Sequence, residues 1–440
     1  MKKLFVSAGL VAAGTLGLQA AYAPGLGPMQ TTKLWSISAT LRGFYDDNYA
    51  MVNNQVRGSY GFEVNPQIQF SMPLQQTELG LRYIYGLYYY QEREELGQNP
   101  IDQSHEFDLW MDHAFTERWQ MTVEDTFNVA QDPQLLTPGP SPPPVPYRVE
   151  GNNIHNFATV TLNTDWTRLF STVVTYNNTW YDYEQSGGNF LNPSLAGLLN
   201  DIDQKISLDL QWQFGPETVV LFGGSAEQVN YLGNEQIALN PLFFSGKGPL
   251  FYTSSDRDSR SYYGYAGIQH TLLPNLFASV QAGVQYTEAY KDPVNPSPSI
   301  GPYANVSLVY TYVPGSYVQL GFTQARNITD VIAVNNTPGT SGYGTLTFDQ
   351  ESSVIYATIN HSITSKLIAS AVGNWQYSTY EGGAFANQSD EMWSVTLDLS
   401  YFFTQHFSAD VGYVYNHLMS NIYQRGFSEN RIYLGVTASY

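Results

Sequence analysis

Apolar and polar residues alternate along most of this chain. Ile206, Leu208, Leu210, Trp212 and Phe214 are apolar, and Ser207, Asp209, Gln211 and Gln213 between them are polar. Trp393, Val395, Leu397, Leu399 and Tyr401 alternate in the same way with Ser394, Thr396, Asp398 and Ser400. Tyr60, Phe62, Val64, Ile68, Phe70 and Met72 share one phase, with Glu63, Asn65, Gln67, Gln69 and Ser71 in the other. A period of two describes strands with one apolar and one polar face. Strands in globular proteins are usually about 5–6 residues long. These runs are longer, and strands of about 9–11 residues with a dyad pattern are what a tilted membrane crossing requires.

Eighteen segments carry the pattern: 34–45, 57–72, 77–91, 105–115, 119–130, 152–162, 167–183, 202–214, 219–229, 260–270, 276–288, 303–312, 317–326, 351–361, 367–379, 392–402, 407–417 and 430–440. Their connections alternate in length. Short ones such as Pro73–Gln76 and Thr116–Arg118 alternate with long ones such as 131–151, 230–259 and 327–350. This predicts an all-β fold, a transmembrane antiparallel up-and-down barrel. It has about 18 strands (16 is the near alternative), with short periplasmic turns and long extracellular loops. A Thr-centred repeat marks several short turns, as in His113-Ala-Phe-Thr116-Glu-Arg-Trp119 and His361-Ser-Ile-Thr364-Ser-Lys-Leu367. The loop 131–151 is rich in proline, from Pro133 to Pro146, and is expected to run as unpaired polyproline II.

The longest apolar run lies elsewhere. Lys2 and Lys3 precede the apolar stretch Leu4 to Leu18, and Ala21-Tyr22-Ala23 follows. This is the pattern of a secretory signal peptide. The expected organisation is a signal peptide at 1–23, a periplasmic N-terminal segment at 24–33 and a barrel at 34–440. Pro24 leaves the cut uncertain by a few residues.

Composition sharpens this picture. Charged residues make up 13% of the 440 residues and aromatics 15%, with 34 tyrosines. Soluble proteins carry about 25% charge, and a lipid-facing half of each strand explains the deficit. The net charge of −19, or −21 after loss of Lys2 and Lys3, argues against nucleic acid as a partner. The absence of cysteine excludes disulfides and thiolate metal sites. No cofactor, metal site or catalytic grouping is expected. His113, His270, His361 and His406 fall at different turns, and no nucleophile motif is present. Asp256-Arg-Asp258 and Glu92-Arg-Glu94-Glu95 lie in loops, as solvated charge or as sites for cations that bridge lipopolysaccharide.

The end of the chain carries the sharpest local signal. Tyr433, Gly435, Ala438 and Tyr440 form a Tyr-x-Gly-x-x-Ala-x-Tyr ending, and Ile432, Leu434, Val436 and Ala438 keep the phase of Tyr440. This resembles the signal read by the machinery that inserts outer-membrane barrels. With Tyr45-Asp46-Asp47-Asn48 and the Thr-containing turns, the chain resembles the outer-membrane β-barrel porin 2 family over nearly its whole mature length. The resemblance implies an outer-membrane barrel, in some members associated with polysaccharide export, and carries over no catalytic residue. The implied partners are outer-membrane lipid and lipopolysaccharide, the barrel-assembly machinery and, for an export role, polysaccharide-export proteins of the inner side.

Inward parity selects the candidate lumen charges. The acids are Glu63, Glu78, Asp108, Asp112, Glu124, Asp209, Asp398 and Asp410, and the bases are Arg42, Arg57, Arg82, Lys205 and Arg431. Acids outnumber bases, which predicts mild cation preference. Pairing across neighbouring strands is the alternative role for each. Tyr88, Tyr90, Tyr263 and Tyr265 are candidate sugar-stacking residues. Barrels of about 16–18 strands enclose an aqueous channel, so the leading expectation is a porin for small hydrophilic solutes. The alternatives are an exopolysaccharide conduit and a non-conducting barrel that presents surface loops as an adhesin or structural protein. An enzyme is not expected.

Overall fold

A computed structural model of the chain describes residues 34–130, 134–136, 147–149, 152–189, 194–240, 242–294, 298–329, 346–383, 385–422 and 425–440. The expected signal peptide and N-terminal segment lie outside the described residues. Eighteen antiparallel strands form one sheet. They are β1 (Trp35–Asp46), β2 (Ser59–Pro73), β3 (Thr77–Tyr90), β4 (Ile101–Thr116), β5 (Trp119–Ala130), β6 (Asn153–Asp165), β7 (Phe170–Tyr183), β8 (Asp201–Gly215) and β9 (Thr218–Tyr231). The second half is β10 (Ser259–Leu273), β11 (Leu276–Glu288), β12 (Ser299–Val313), β13 (Ser316–Ile328), β14 (Asp349–Ser362), β15 (Leu367–Glu381), β16 (Ser389–Phe402), β17 (Phe407–Ser420) and β18 (Phe427–Ser439). Each strand pairs with the next. The seam between β18 and β1, from Ser38↔Ser439 to Asp46↔Arg431, closes the barrel. Among the described residues no helix is long and apolar enough to cross a membrane. The crossing elements are strands.

The register fixes the dimensions. Followed strand by strand once round, the pairing advances by about 22 residues. With strands about 4.8 Å apart, that stagger gives a tilt of about 40° and a backbone-to-backbone diameter of about 36 Å. Outward positions are apolar and exposed, as at Ile37, Leu41, Leu208, Leu210, Ile432 and Leu434. An exposed belt of this kind marks a lipid-facing surface. Trp35, Trp119, Trp212, Tyr401 and Tyr440 ring its short-turn edge, and Tyr45, Tyr60, Tyr262, Trp393 and Tyr413 its loop edge. On β1 the step from Trp35 to Tyr45 spans about 25 Å along the barrel axis, the height of an outer-membrane apolar band.

The turn repeat has a local cause. Thr116 Oγ1 accepts the backbone N–H groups of Arg118 and Trp119, each at 3.2 Å. Thr364 does the same for Lys366 and Leu367 at 3.2 and 3.0 Å. The hydroxyl satisfies donors that a tight turn leaves unpaired. Trp166–Phe170 is a further copy, in which Thr167 accepts from Leu169 and Phe170. The proline-rich loop differs from expectation at its ends. Gln134–Leu136 and Tyr147–Val149 pair as a short hairpin, because neither segment contains a proline. The run 137–146 between them lies outside the described residues.

The loop edge carries most of the remaining structure. A short helix α1 (Gln91–Glu95) follows β3, and α2 (Leu195–Leu199) lies between β7 and β8. Between β9 and β10, Gln236–Leu239 pairs with Phe251–Thr253 ahead of a 3-10 turn, Ser254–Arg257.

Candidate functional site

Alternation turns the polar face of every strand into the lumen wall. One charge network spans the seam. Arg42 on β1 donates from Nε to Asp410 Oδ2 at 2.8 Å and from Nη1 to Glu63 Oε1 at 3.1 Å. Arg431 on β18 reaches the other oxygen of Glu63 at 3.1 Å. Tyr433 donates to Asp398 Oδ2 at 3.0 Å and lies under the Arg42 guanidinium. Arg431 stacks over Phe44, which packs against Tyr90. A Cβ at Gly435 would strike the Arg42 side chain and crowd Asp410, so glycine there makes room for the pair. Tyr433 and Gly435 thus belong to the wall as well as to the C-terminal segment. Ala438 and Tyr440 lie on the lipid phase, and the Tyr440 ring sits 5.8 Å from Trp35.

A second network faces it from β8 to β10. Lys205 lies 3.7 Å from Glu227 and over the Tyr263 ring. Tyr263 donates to Glu227, and Tyr265 donates to Asp209 at 2.7 Å. A third group on β3–β5 joins Arg82 to Asp108 at 2.7 Å and to Glu106 at 3.2 Å. Glu78, Asp112 and Glu124 lie beside it in the inward phase, with no cation at ion-pair distance among the described residues.

Several inward aromatics lie flat. Trp110 covers Gly80, Tyr265 covers Gly223, Tyr356 covers Gly321 and Tyr433 covers Gly412, each on the preceding strand, where a Cβ would collide with the ring. Glycine lets each ring rest on the wall instead of projecting into the channel. Gly80→Ala is expected to lift the Trp110 indole, cost about 1–3 kcal/mol through overpacking and lower single-channel conductance without altering ion selectivity. Unchanged conductance would show that this ring does not limit the bore.

The loop-side mouth is roofed. Ile237, Ala238, Tyr252 and Leu346 form a small core with Leu198, Val294 and Phe348, drawing on four separate connections. Tyr181 and Tyr183 on β7 pack with Leu199 and with Ile328 of β13, six strands away. Contact between such distant strands requires chain to reach inward across the mouth. Arg257 ties the roof together and is 2% exposed. It donates from Nη1 to the Leu198 carbonyl at 2.6 Å and from Nη2 to the Thr329 carbonyl, and it stacks 4.3 Å from the Tyr231 ring. The neighbouring acids also have structural work. Asp256 accepts from Thr253 N at 2.7 Å, and Asp258 accepts from Tyr231 N and pairs with Lys291 at 2.6 Å. Burial raises the Asp256 carboxyl against those bonds, and the hydrogen bond to Asp258 raises the Lys291 ammonium.

The predicted lumen charges fall on inward positions with one exception. Arg57 lies in the β1–β2 loop, nearly half exposed, 3.0 Å from Glu92 of α1. β2 begins at Ser59 and not at residue 57, so alternation does not reach it. The four candidate tyrosines divide between the two networks. Tyr90 is packed among Phe44, Tyr49 and the Arg93 guanidinium, and Tyr263 is 7% exposed, so neither offers an open face. Tyr88 and Tyr265 are partly open. Glu106, Asp203 and Glu227 escaped the candidate set although they sit in the inward phase of predicted strands. Asp46, Asp102, Asp201, Asp390 and Glu429 lie on inward strand ends beyond the predicted bounds. Among the described residues no group of three His, Asp or Glu is placed to hold a metal.

A closed barrel with an apolar belt, aromatic edges and a charged lumen invites comparison with known families. Residues 251–440 match the family described as Putative beta-barrel porin 2. This is the family the sequence resembles. The chain is an outer-membrane β-barrel, similar to this family over its C-terminal part. A search of curated proteins finds no match. Similar solved structures include OccAB4 of Acinetobacter baumannii, at 12% identity over 94% of this chain and 100% of that one, with a TM-score of 0.43. OpdO of Pseudomonas aeruginosa follows at 11% identity, 92% and 97% coverage and a TM-score of 0.43. A mutant ferric enterobactin receptor of Pseudomonas aeruginosa shows 9% identity, 92% and 81% coverage and a TM-score of 0.44.

Proposed function

We propose that this porin-like barrel passes small hydrophilic solutes by diffusion, with mild preference for cations. The observation that carries the reading is the asymmetry of the lumen charges. Arg42, Arg82, Arg431 and Lys205 are each held by carboxylates. Glu78, Asp112, Glu124 and Asp209 have no cation at ion-pair distance among the described residues. The fixed field left for a passing ion is therefore negative, and a low-dielectric wall focuses it. Flat aromatics keep the bore wide, and the roof makes the loop-side mouth the narrower end. Sieving there and charge along the wall need no chemical step, so the reading is of a channel and not an enzyme. A polysaccharide conduit would draw on tyrosine faces; of the four candidates Tyr90 and Tyr263 offer none, and Tyr88 and Tyr265 are partly open.

The test is the reversal potential of the purified barrel in a planar bilayer under a salt gradient. The expected sign is cation-preferring, and replacing Glu78, Asp112 and Glu124 together by glutamine should move it toward zero. Anion preference in the unmodified protein would refute the charge argument. Absence of any steady conductance would refute the channel.

A further inference from the structure

The deepest outward carboxylate in the lipid-facing belt is Asp125 on β5, six residues in from Trp119 at the short-turn edge. It pairs in register with Leu109 on β4 and Ala158 on β6, both outward. Asn156, Asn178 and Gln204 continue a polar stripe across β6, β7 and β8. Asn156 Nδ2 donates to Asp125 Oδ1 at 2.7 Å. Gln204 Nε2 donates to the Tyr176 hydroxyl at 3.0 Å and to Asn178 Oδ1 at 3.4 Å. Other faces differ. Around the seam, the outward positions Ala39, Leu41, Val411, Leu434 and Val436 are all apolar. Gln324 on β13 and Ser353 on β14 also face outward, at the depth of Asn178 and Asn156; there Ser353 donates to Gln324 and Gln324 to Glu351, but no carboxylate of that group lies as deep in the belt as Asp125. A carboxylate and amides facing lipid are costly, and membrane proteins keep them where another polar surface covers them. The β5–β6 part of this side is also poor in large exposed apolar side chains, whereas on β8 Ile206, Leu208 and Leu210 flank the stripe on its short-turn side. Between Trp119 and Trp166 none of the described ones is more than about a third exposed.

We infer that the β5–β8 face, marked by Asp125, Asn156, Asn178 and Gln204, is where a second copy of this chain docks within the membrane. The stripe is self-complementary. Its amide N–H groups supply donors for the Asp125 carboxylate and the amide oxygens of a neighbouring barrel, and the neighbour returns the same set. A lipid tail can supply neither. Four tilted strands, each about 6 Å wide around the barrel, and a belt about 25 Å high give roughly 600 Å² per barrel. The total of about 1,200 Å² reaches the lower bound of stable interfaces. Symmetric self-association is the commonest arrangement among oligomers.

The absence of cysteine makes the test direct. Ala158→Cys places one thiol on the stripe. Ala371→Cys places one on the outward phase of β15, on the opposite side of the barrel. In isolated outer membranes a bismaleimide should join two copies through residue 158 and none through residue 371. Adding Asp125→Leu, which removes a polar group from lipid and so leaves the barrel folded, should reduce the product about fivefold. Mass photometry of the unmodified protein in mild detergent should show a multiple of the barrel mass. No linked product, equal linking from both positions, or a product containing a different protein would overturn the inference.

Discussion

Arg257→Ala is expected to open the loop-side mouth and raise single-channel conductance at least about twofold. The guanidinium donates to carbonyls of two different connections and stacks on Tyr231 of the wall. Hydrogen bonds to a charged group contribute about 1.5–3 kcal/mol each. Their loss removes several kcal/mol from a roof whose apolar core is small. The strand ladders do not pass through Arg257, so the barrel should persist and only the roof should loosen. Two readouts separate these effects. Conductance should rise, and trypsin should cut at Lys247 or Lys291 faster while the unheated barrel keeps its gel mobility. An intact roof with unchanged conductance would mean that the narrowest section lies deeper, at the charge networks.

Replacing Glu63 by glutamine is expected to have the largest effect on selectivity. Glu63 lies between Arg42 and Arg431 and accepts from both. Its side chain is 7% exposed and that of Arg42 5%. Removing one partner of a buried ion pair usually costs about 3–5 kcal/mol. The low end applies, because Asp410 still holds Arg42. The larger consequence is the field. One negative charge is lost and Arg431 is released beside the channel, so the reversal potential should swing toward anions. Heat-induced unfolding, followed by gel mobility, should move to lower temperature. Unaltered selectivity in the E63Q variant would place the ion path away from the seam.

The strand count and the phase of nearly every candidate were legible because lipid dictates one face over a full crossing. Ile206 to Phe214 could be read as outward from the sequence, and Lys205 and Asp209 as inward. The loop-side ends were read less well. β4 starts at Ile101 rather than 105, and β16 at Ser389 rather than 392, because beyond the belt lipid no longer enforces alternation. That is where Arg57 was misplaced and where Asp102, Asp201 and Asp390 were missed. Which strands pair was legible from the up-and-down order, but their register was not. That Trp110 covers Gly80, or that Arg42 meets Asp410, depends on register, and variable loops hide register from the sequence. The roof is a further step away, since Leu198, Ile237, Val294 and Leu346 meet only after four connections fold inward.

The seam has a consequence for the order of folding. Every other pair of neighbouring strands is joined by a turn or loop and can zip from that connection. β1 and β18 have no such tether and meet only when the sixteen strands between them are aligned. Until then both present bare edges, which lipid cannot satisfy. Closure is therefore the highest-contact-order event in the molecule and belongs late in folding. The Arg42–Glu63–Arg431–Asp410 network, which straddles that junction, is assembled by the same event. It acts as a latch that forms only on a completed ring.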